Sequence, residues 1–260
     1  MSYAYNKTLV VGATSGIGWA LAEKIVQNGK QVVIVGRRKE KLDEFQQKYG
    51  NEKVHTIVFD ISNLDEISKF AKKVTDGHPD LDSVFLNAGI QRGFDFSKPE
   101  TVDMSVLELE FRTNYLSYMY LTTAFTPFLQ KQEKATSFIY TTSGLALLPL
   151  PRCANYCASK AALHHMILVL REQLRAGPGD IRVIEIFPPA VQTELHDEKH
   201  QPDIKDGRNF GMPLDEFTEA AWAGLTKGEE QIPVGFVGKA FEAFENKRQE
   251  MFHGMMMKMA

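Results

Sequence analysis

Short β-branched runs alternate along the chain with longer stretches whose apolar residues recur at helical spacing. TLVVG (8–12), QVVIVG (31–36), VHTIVF (54–59), DSVFLN (82–87), TSFIYTT (136–142) and IRVIEIF (181–187) read as strands. Their apolar residues run on rather than alternating with polar ones, as in strands covered on both faces. Between them, residues 16–28, 38–49, 64–75, 103–130 and 155–176 carry the periodicity of amphipathic helices. Gly29, Gly50 and Gly177 stand just past three of these stretches, where a left-handed C-terminal cap is expected. Alternation of this length predicts an α/β fold, a doubly wound parallel sheet of the Rossmann type with right-handed crossovers.

The alternation stops at 188–212, PPAVQTELHDEKHQPDIKDGRNFGM. A polar segment that long is expected to serve a site, as a lid or a substrate-binding loop. Beyond it, 214–226 reads as a helix, 232–238 as a last edge strand and 239–257 as a final helix. The Met-rich end, MFHGMMMKMA, has two readings, a surface packed on a partner subunit or a frayed tail. With no internal repeat and no Ser/Pro/Gly linker, residues 1–260 are read as a single domain.

Composition narrows the function classes. Hydrophobic residues at 43% and charged residues at 24% sit at globular averages and exclude disorder, collagen and coiled coil. A net charge of -3 argues against a polyanion-binding surface, so no nucleic-acid partner is expected. No apolar run approaches the roughly 20 residues that span a bilayer. MSYAYNKTLVVGA also lacks the basic start, apolar stretch and cleavage site of a signal peptide. No membrane association is expected, and a cytoplasmic location is. Cys153 and Cys157, four apart, make neither a C-x-x-C redox pair nor half of a zinc site, and no metal is expected.

Chemistry enters directly after the first strand, at Gly12-Ala-Thr-Ser-Gly16-Ile-Gly18. Glycines there permit a tight turn and let the backbone approach a pyrophosphate, while the following helix offers unpaired N–H groups to the anion. Ser15, and less so Thr14, are placed to add hydroxyl donors. At the end of the second strand an acid would read a free ribose 2′-hydroxyl; this chain has Arg37-Arg38. Two guanidiniums suit a 2′-phosphate, which favours NADP(H) over NAD(H). Asp60 and Asn87-Ala88-Gly89 end the third and fourth strands, at the sheet edge where ligands bind in such folds.

Tyr156 and Lys160 lie one helical turn apart on one face. An ammonium there is expected to lower the phenol's pKa and make it a usable acid/base. The same spacing recurs at Tyr3/Lys7 and Tyr49/Lys53, but only Tyr156 has a hydroxyl partner, Ser143, directly after the fifth strand. Such a hydroxyl can fix a carbonyl oxygen beside the tyrosine proton. A serine hydrolase is excluded, since no G-x-S-x-G surrounds Ser143.

Jointly ordered, these residues resemble the short-chain dehydrogenase/reductase family of single-domain type, from about Lys7 to Leu195. The resemblance adds Asn114, in FRTNYLS, to complete a tetrad with Ser143, Tyr156 and Lys160. It implies that Tyr156 exchanges a proton with the substrate oxygen as hydride passes to or from nicotinamide. Lys160 would hold the nicotinamide ribose, Ser143 the substrate oxygen, and Asn114 a water in the proton relay. It further implies cofactor contacts from Ile17, Ile61, Pro188, Val191 and Thr193. Two positions depart from the family pattern: Val11 stands where threonine is usual, and Pro189 where glycine is.

The implied activity is NADPH-dependent transfer of hydride between nicotinamide and a carbonyl or secondary alcohol. A dehydratase or epimerase that retains its cofactor, and a non-catalytic NADPH-sensing protein, are the alternatives. Substrate contacts are expected from 90–96, 144–153 and 190–212. Leu145, Leu147, Leu148 and Pro149 are expected to form an apolar wall, with Arg92, Arg152 or His196 available to a carboxylate or phosphate. His164 and His165 read as packing or surface residues. The aromatic stretch 111–128 reads as a subunit-packing helix, and the resemblance implies a homodimer or homotetramer.

Overall fold

The computed structural model describes residues 2–259. Seven strands form one parallel sheet: β1 (Lys7–Val11), β2 (Gln31–Gly36), β3 (Val54–Val58), β4 (Ser83–Leu86), β5 (Thr136–Thr141), β6 (Ile181–Phe187) and β7 (Gln231–Pro233). Their order is β3-β2-β1-β4-β5-β6-β7, with Val10 level with Ile34 on one side and Phe85 on the other. The chain builds outward from β1 through β2 to β3, then returns to start β4 on the far side of β1. A crevice opens where those two directions diverge, at the carboxyl ends of β1 and β4.

The helices are α1 (Gly16–Gln27), α2 (Lys39–Tyr49), α3 (Ile67–Gly77), α4 (Met104–Phe111), α5 (Ser117–Leu129), α6 (Ala154–Ala176), α7 (Leu214–Lys227), α8 (Val237–Ala240) and α9 (Asn246–Met259). Successive side chains of a strand point to opposite faces, so an unbroken apolar run feeds two cores. Leu9, Val11, Leu86 and Phe138 meet Phe70 of α3, Phe125 of α5 and Ile167 of α6. Val10, Ile34, Phe85 and Ile139 meet Leu21 and Ile25 of α1, Phe45 of α2 and Phe217 of α7. Truncating a fully buried phenylalanine such as Phe125 would cost about 3–5 kcal/mol, which is why the sheet holds its strand ends rigidly.

Several expectations need correction. The stretch 103–130 is not one regular helix: between α4 and α5, Arg112–Leu116 form a widened π turn. The edge strand is shorter than 232–238; Pro233 ends it, Gly235 turns with φ 63°, and α8 has begun by Val237. Gly29 and Gly50 adopt the left-handed backbone, but Gly177 does not. The turn falls instead at Gly179, where a Cβ would meet the Gln130 backbone at 2.8 Å. The segment 188–212 is pinned at its base by a Val191–Met212 bridge and carries short 3-10 turns at Glu194–His196 and Gly207–Asn209. The Met-rich end is helical to Met259 rather than frayed, with Met251, Met255 and Met257 exposed; Ala260 lies outside the described residues. Among the described residues no helix is long and apolar enough to cross a membrane, and no His/Cys/Asp/Glu cluster could hold a metal.

Candidate active site

The crevice is a cleft of about 560 Å³ running across the carboxyl ends of the strands. The β1–α1 turn forms its floor. Gly12 has φ 88° and lies so close to β4 that a Cβ there would sit 2.6 Å from Ala88 Cα. At Gly18 a Cβ would be 2.2 Å from the Gly12 carbonyl and 2.6 Å from Asn87 Nδ2, so the turn closes only around glycine. Asn87 secures it by donating to that same carbonyl at 3.2 Å while accepting from Thr141 Oγ1 at 3.0 Å. Ser15 caps α1 without bonding its own helix, and no acidic residue stands in the first turn. The turn therefore presents free N–H groups and the positive end of α1 to the cleft.

The two arginines after β2 differ. Arg38 is half-buried and braced: it donates to Thr14 Oγ1 and to the Thr14 carbonyl, both at 3.1 Å, and to Glu194 Oε2 at 2.7 Å. Thr14 Oγ1 thus accepts from Arg38, while its own O–H stays free to donate. Arg37 extends into solvent at the cleft mouth, 3.7 Å from Asp60.

Ser143, Tyr156 and Lys160 line the other end. Ser143 follows β5, and its Oγ accepts from Leu145 N at 3.0 Å, turning the chain toward α6. Lys160, fully buried, donates to the Thr141 carbonyl at 2.9 Å and stands 5.8 Å from the Tyr156 ring centre. Burial pulls its pKa down to about 8, against the fields of Glu185 and Glu110. The Tyr156 phenol is not lowered as expected. Burial pushes it above its ordinary range, and the Ser143 hydroxyl works only partly against that. The physical reason is that the ammonium is spent on the Thr141 carbonyl while the phenol sits in a nearly dry pocket. Buried Cys153 and Cys157, with thiols 3.9 Å apart, complete that pocket.

Every predicted catalytic and cofactor-binding position lines the cleft except Gly18 and Asn114. Asn114 sits one layer behind. The widened turn after α4 brings its side chain onto Ile90, accepting from Ile90 N at 2.9 Å and donating to Ile90 O at 2.8 Å. A third bond, at 3.2 Å, reaches Ser159 Oγ, one residue before Lys160. Pro188, Pro189, Val191 and Thr193 line the cleft, and the Pro188 carbonyl accepts from Gly144 N at 2.8 Å.

The expected apolar wall is wrong. Leu145 packs with Cys153, Tyr156 and Cys157, Leu147 packs on Phe187, Val237 and Phe241, and Leu148 points to solvent. Leu109, Thr113, Pro189 and Leu195 line the cleft instead. Arg152 is also elsewhere, held by Asp203 and by Gln201 Oε1 at 2.6 Å. Arg92 and His196 do line the cleft, joined by Lys199 and His200, which lie in the expected segment 190–212 but were not singled out within it. Burial, and then Arg152, lower the pKa of His196 and so disfavour its cation.

Residues 6–203 match the family model described as short chain dehydrogenase. The chain is 34% identical over 233 residues to the uncharacterized oxidoreductase DltE of Bacillus subtilis, covering 89% of each protein. It is 31% identical over 254 residues to a 3-ketodihydrosphingosine reductase of Yarrowia lipolytica, covering 90% of this chain and 66% of that protein. Among solved structures, a short-chain dehydrogenase from Sphingobium yanoikuyae in complex with NADPH superposes with a TM-score of 0.82 at 22% identity, covering 95% of each chain.

Proposed function

The chain belongs to the short-chain dehydrogenase family, and on that premise we propose that it is an NADPH-dependent carbonyl reductase or alcohol dehydrogenase. The cofactor fits the residues present. The glycine turn, which no side chain can fill, suits a pyrophosphate, and Arg37 with braced Arg38 suits a 2′-phosphate. Asp60, Ile61 and Asn87-Ala88-Gly89 would hold the adenosine half; Pro188, Val191 and Thr193 would hold the nicotinamide half. Bound there, the cofactor supplies or accepts the hydride.

The chain's own residues handle the oxygen and its proton. Ser143 donates to the substrate oxygen, and Tyr156 passes it the phenolic proton as negative charge develops. A phenol that burial keeps protonated at neutral pH suits the reductive direction. Lys160 restores the proton and holds the ribose, and Asn114 fixes the segment between them. The observation that carries this reading is that Ser143, Tyr156 and Lys160 share one wall of the cleft floored by the glycine turn. The naming of the Yarrowia relative as a keto-group reductase supports carbonyl reduction. The reading includes a homodimer or homotetramer built through α5 and α6, where Tyr120 and Val169 are exposed, and a cytoplasmic location.

The test is NADPH consumption against an aromatic diketone, a cyclic ketone, an aliphatic aldehyde and a keto acid. Tyr156→Phe is run beside the wild type. Turnover should fall by about 10²- to 10⁴-fold in the variant while NADPH still binds. Turnover that survives in Tyr156→Phe rejects the assignment. NADPH that binds without being consumed by either protein points to the cofactor-retaining or sensing alternatives.

A further inference from the structure

Behind the Ser143–Lys160 wall lies a buried charged cluster that the reaction scheme does not use. Ile184 and Ile186 of β6 point into the core beneath α1 and α7, so Glu185 between them points toward α6. It is completely buried. Its Oε1 accepts from Thr142 Oγ1 at 2.7 Å, and both its oxygens face His164 Nδ1, at 2.9 and 3.0 Å. Thr142 Oγ1 also reaches the Ile186 carbonyl at 3.2 Å. On its other side, His164 Nε2 faces Glu245 Oε1 at 3.1 Å, the oxygen that also accepts from Arg248 Nη2 at 3.0 Å. Arg248 and Gln249 hold Glu245, each by a bond of 2.8 Å. A continuous polar chain thus runs from the end of β5, through β6 and α6, to the start of α9.

Its position gives it a consequence for the site. Thr142 lies between Thr141, whose carbonyl receives Lys160, and Ser143. A side chain that fixes Thr142 fixes both. Glu185 also acts directly on Lys160, since its field favours the ammonium against burial. An unpaired charge buried this deeply would be strongly destabilising, and His164 supplies the counter-charge. Resting on the reductase reading above, we propose that Glu185 is a positioning residue for the reaction. Through Thr142 it sets the placement of Ser143 and of the carbonyl under Lys160.

The groups facing this pair are few. Around Lys160 stand Tyr118 of α5, Tyr156 of its own helix and Glu110 of α4. Around Glu185 stand His164 and Arg171 of α6, with Glu245 and Arg248 beyond the histidine. Glu110 is the other carboxylate that favours the Lys160 ammonium, so removing Glu185 weakens that support without abolishing it.

The test follows the Lys160 side chain in lysine-labelled protein by NMR, its resonance identified by loss in Lys160→Met. Glu185→Gln keeps an acceptor for Thr142 but removes the charge. Its Lys160 should titrate about one pH unit lower than in wild type. Glu185→Asp keeps the charge but shortens the reach to Thr142; its Lys160 titration should stay near wild type while kcat falls with little change in KM. A folded Glu185→Gln protein whose Lys160 titrates as in wild type overturns the proposal. So does a Glu185→Asp protein with wild-type kcat. Should Glu185→Gln fail to fold, the double variant Glu185→Gln/His164→Gln, which removes the buried pair together, carries the Lys160 titration, and Glu185→Asp carries the kcat readout. The titration is independent of turnover, so an enzyme that reduces nothing in the panel sinks the reductase reading while leaving the Lys160 result to decide the field of Glu185.

Discussion

Asn114 grips Ile90 by both of its backbone polar groups, the N–H at 2.9 Å and the carbonyl at 2.8 Å, from a turn of helix widened to let its side chain reach. Gly89, next to this clamp, would place a Cβ 3.3 Å from Asn114 Oδ1 and 3.7 Å from Lys160 Nζ. The amide therefore ties the loop after β4 to the helix that carries Tyr156 and Lys160. Asn114→Ala should leave a buried N–H and carbonyl unpaired, at about 1–3 kcal/mol. The expected result is a lower midpoint in thermal melts, with slowed turnover and a modest loss of NADPH affinity. An unchanged melting midpoint and unchanged turnover would show that the clamp is dispensable.

Arg37 and Arg38 are adjacent in sequence but unequal in structure, and their replacement should not be equivalent. Arg38 is oriented by Thr14 and Glu194, whereas Arg37 is largely exposed, with a 3.7 Å contact to Asp60. A braced guanidinium loses less freedom on gripping a phosphate than a free one does. Arg38→Ala should weaken NADPH by about 10- to 100-fold, the value of a charge-assisted hydrogen bond. Arg37→Ala should weaken it less, and both should spare NADH. Fluorescence titration with the two cofactors decides this, and equal losses for NADPH and NADH would reject a 2′-phosphate clamp.

How much of this was legible in the chain depended on the range of the interactions. Strands such as QVVIVG announce two-sided burial in six residues, so the sheet followed. Tyr156, Lys160 and Ser143 were legible because a helical turn and a strand end place them by local rules. Glu194 was not, because its partner Arg38 lies 156 residues away in sequence. Nor was the widened turn at Asn114, since FRTNYLS has ordinary helical composition and the partner that Asn114 meets there, Ile90, lies on another loop. The leucines at 145–148 misled for a related reason. Apolar residues near a site line it only if no other core claims them, and here Leu147 is claimed by Phe187, Val237 and Phe241. His164 shows the same limit: its place in the pattern of α6 says buried, but the two carboxylates that meet it come from β6 and the C-terminal helix.

That histidine should leave a signature in the pH dependence of stability. Burial alone would discharge His164, but Glu185 and Glu245 outweigh it and raise its pKa from 6.5 to about 9. The folded state therefore binds this proton more tightly than the unfolded chain does. The associated stability is fully present below pH 6.5 and is lost as pH rises through 9. Glu245, lowered to about 2 against burial by its bonds from His164 and Arg248, contributes the opposite slope, lost only as pH falls below 4.5 toward 2. Above pH 8 the lowered pKa of Lys160 works against the His164 effect, since a buried amine that sheds its proton relieves the fold. The window from pH 6.5 to 8 is therefore the informative one. Across it, urea unfolding of wild type should lose about 1.5 kcal/mol that His164→Gln does not lose, although the variant starts from a lower stability. Glu110, raised to about 7 chiefly by burial, adds a falling slope of its own in both proteins and cancels from the comparison. Parallel curves for wild type and variant would mean that His164 is neutral in the fold, and that the two carboxylates are balanced by Arg248 and Arg171 instead.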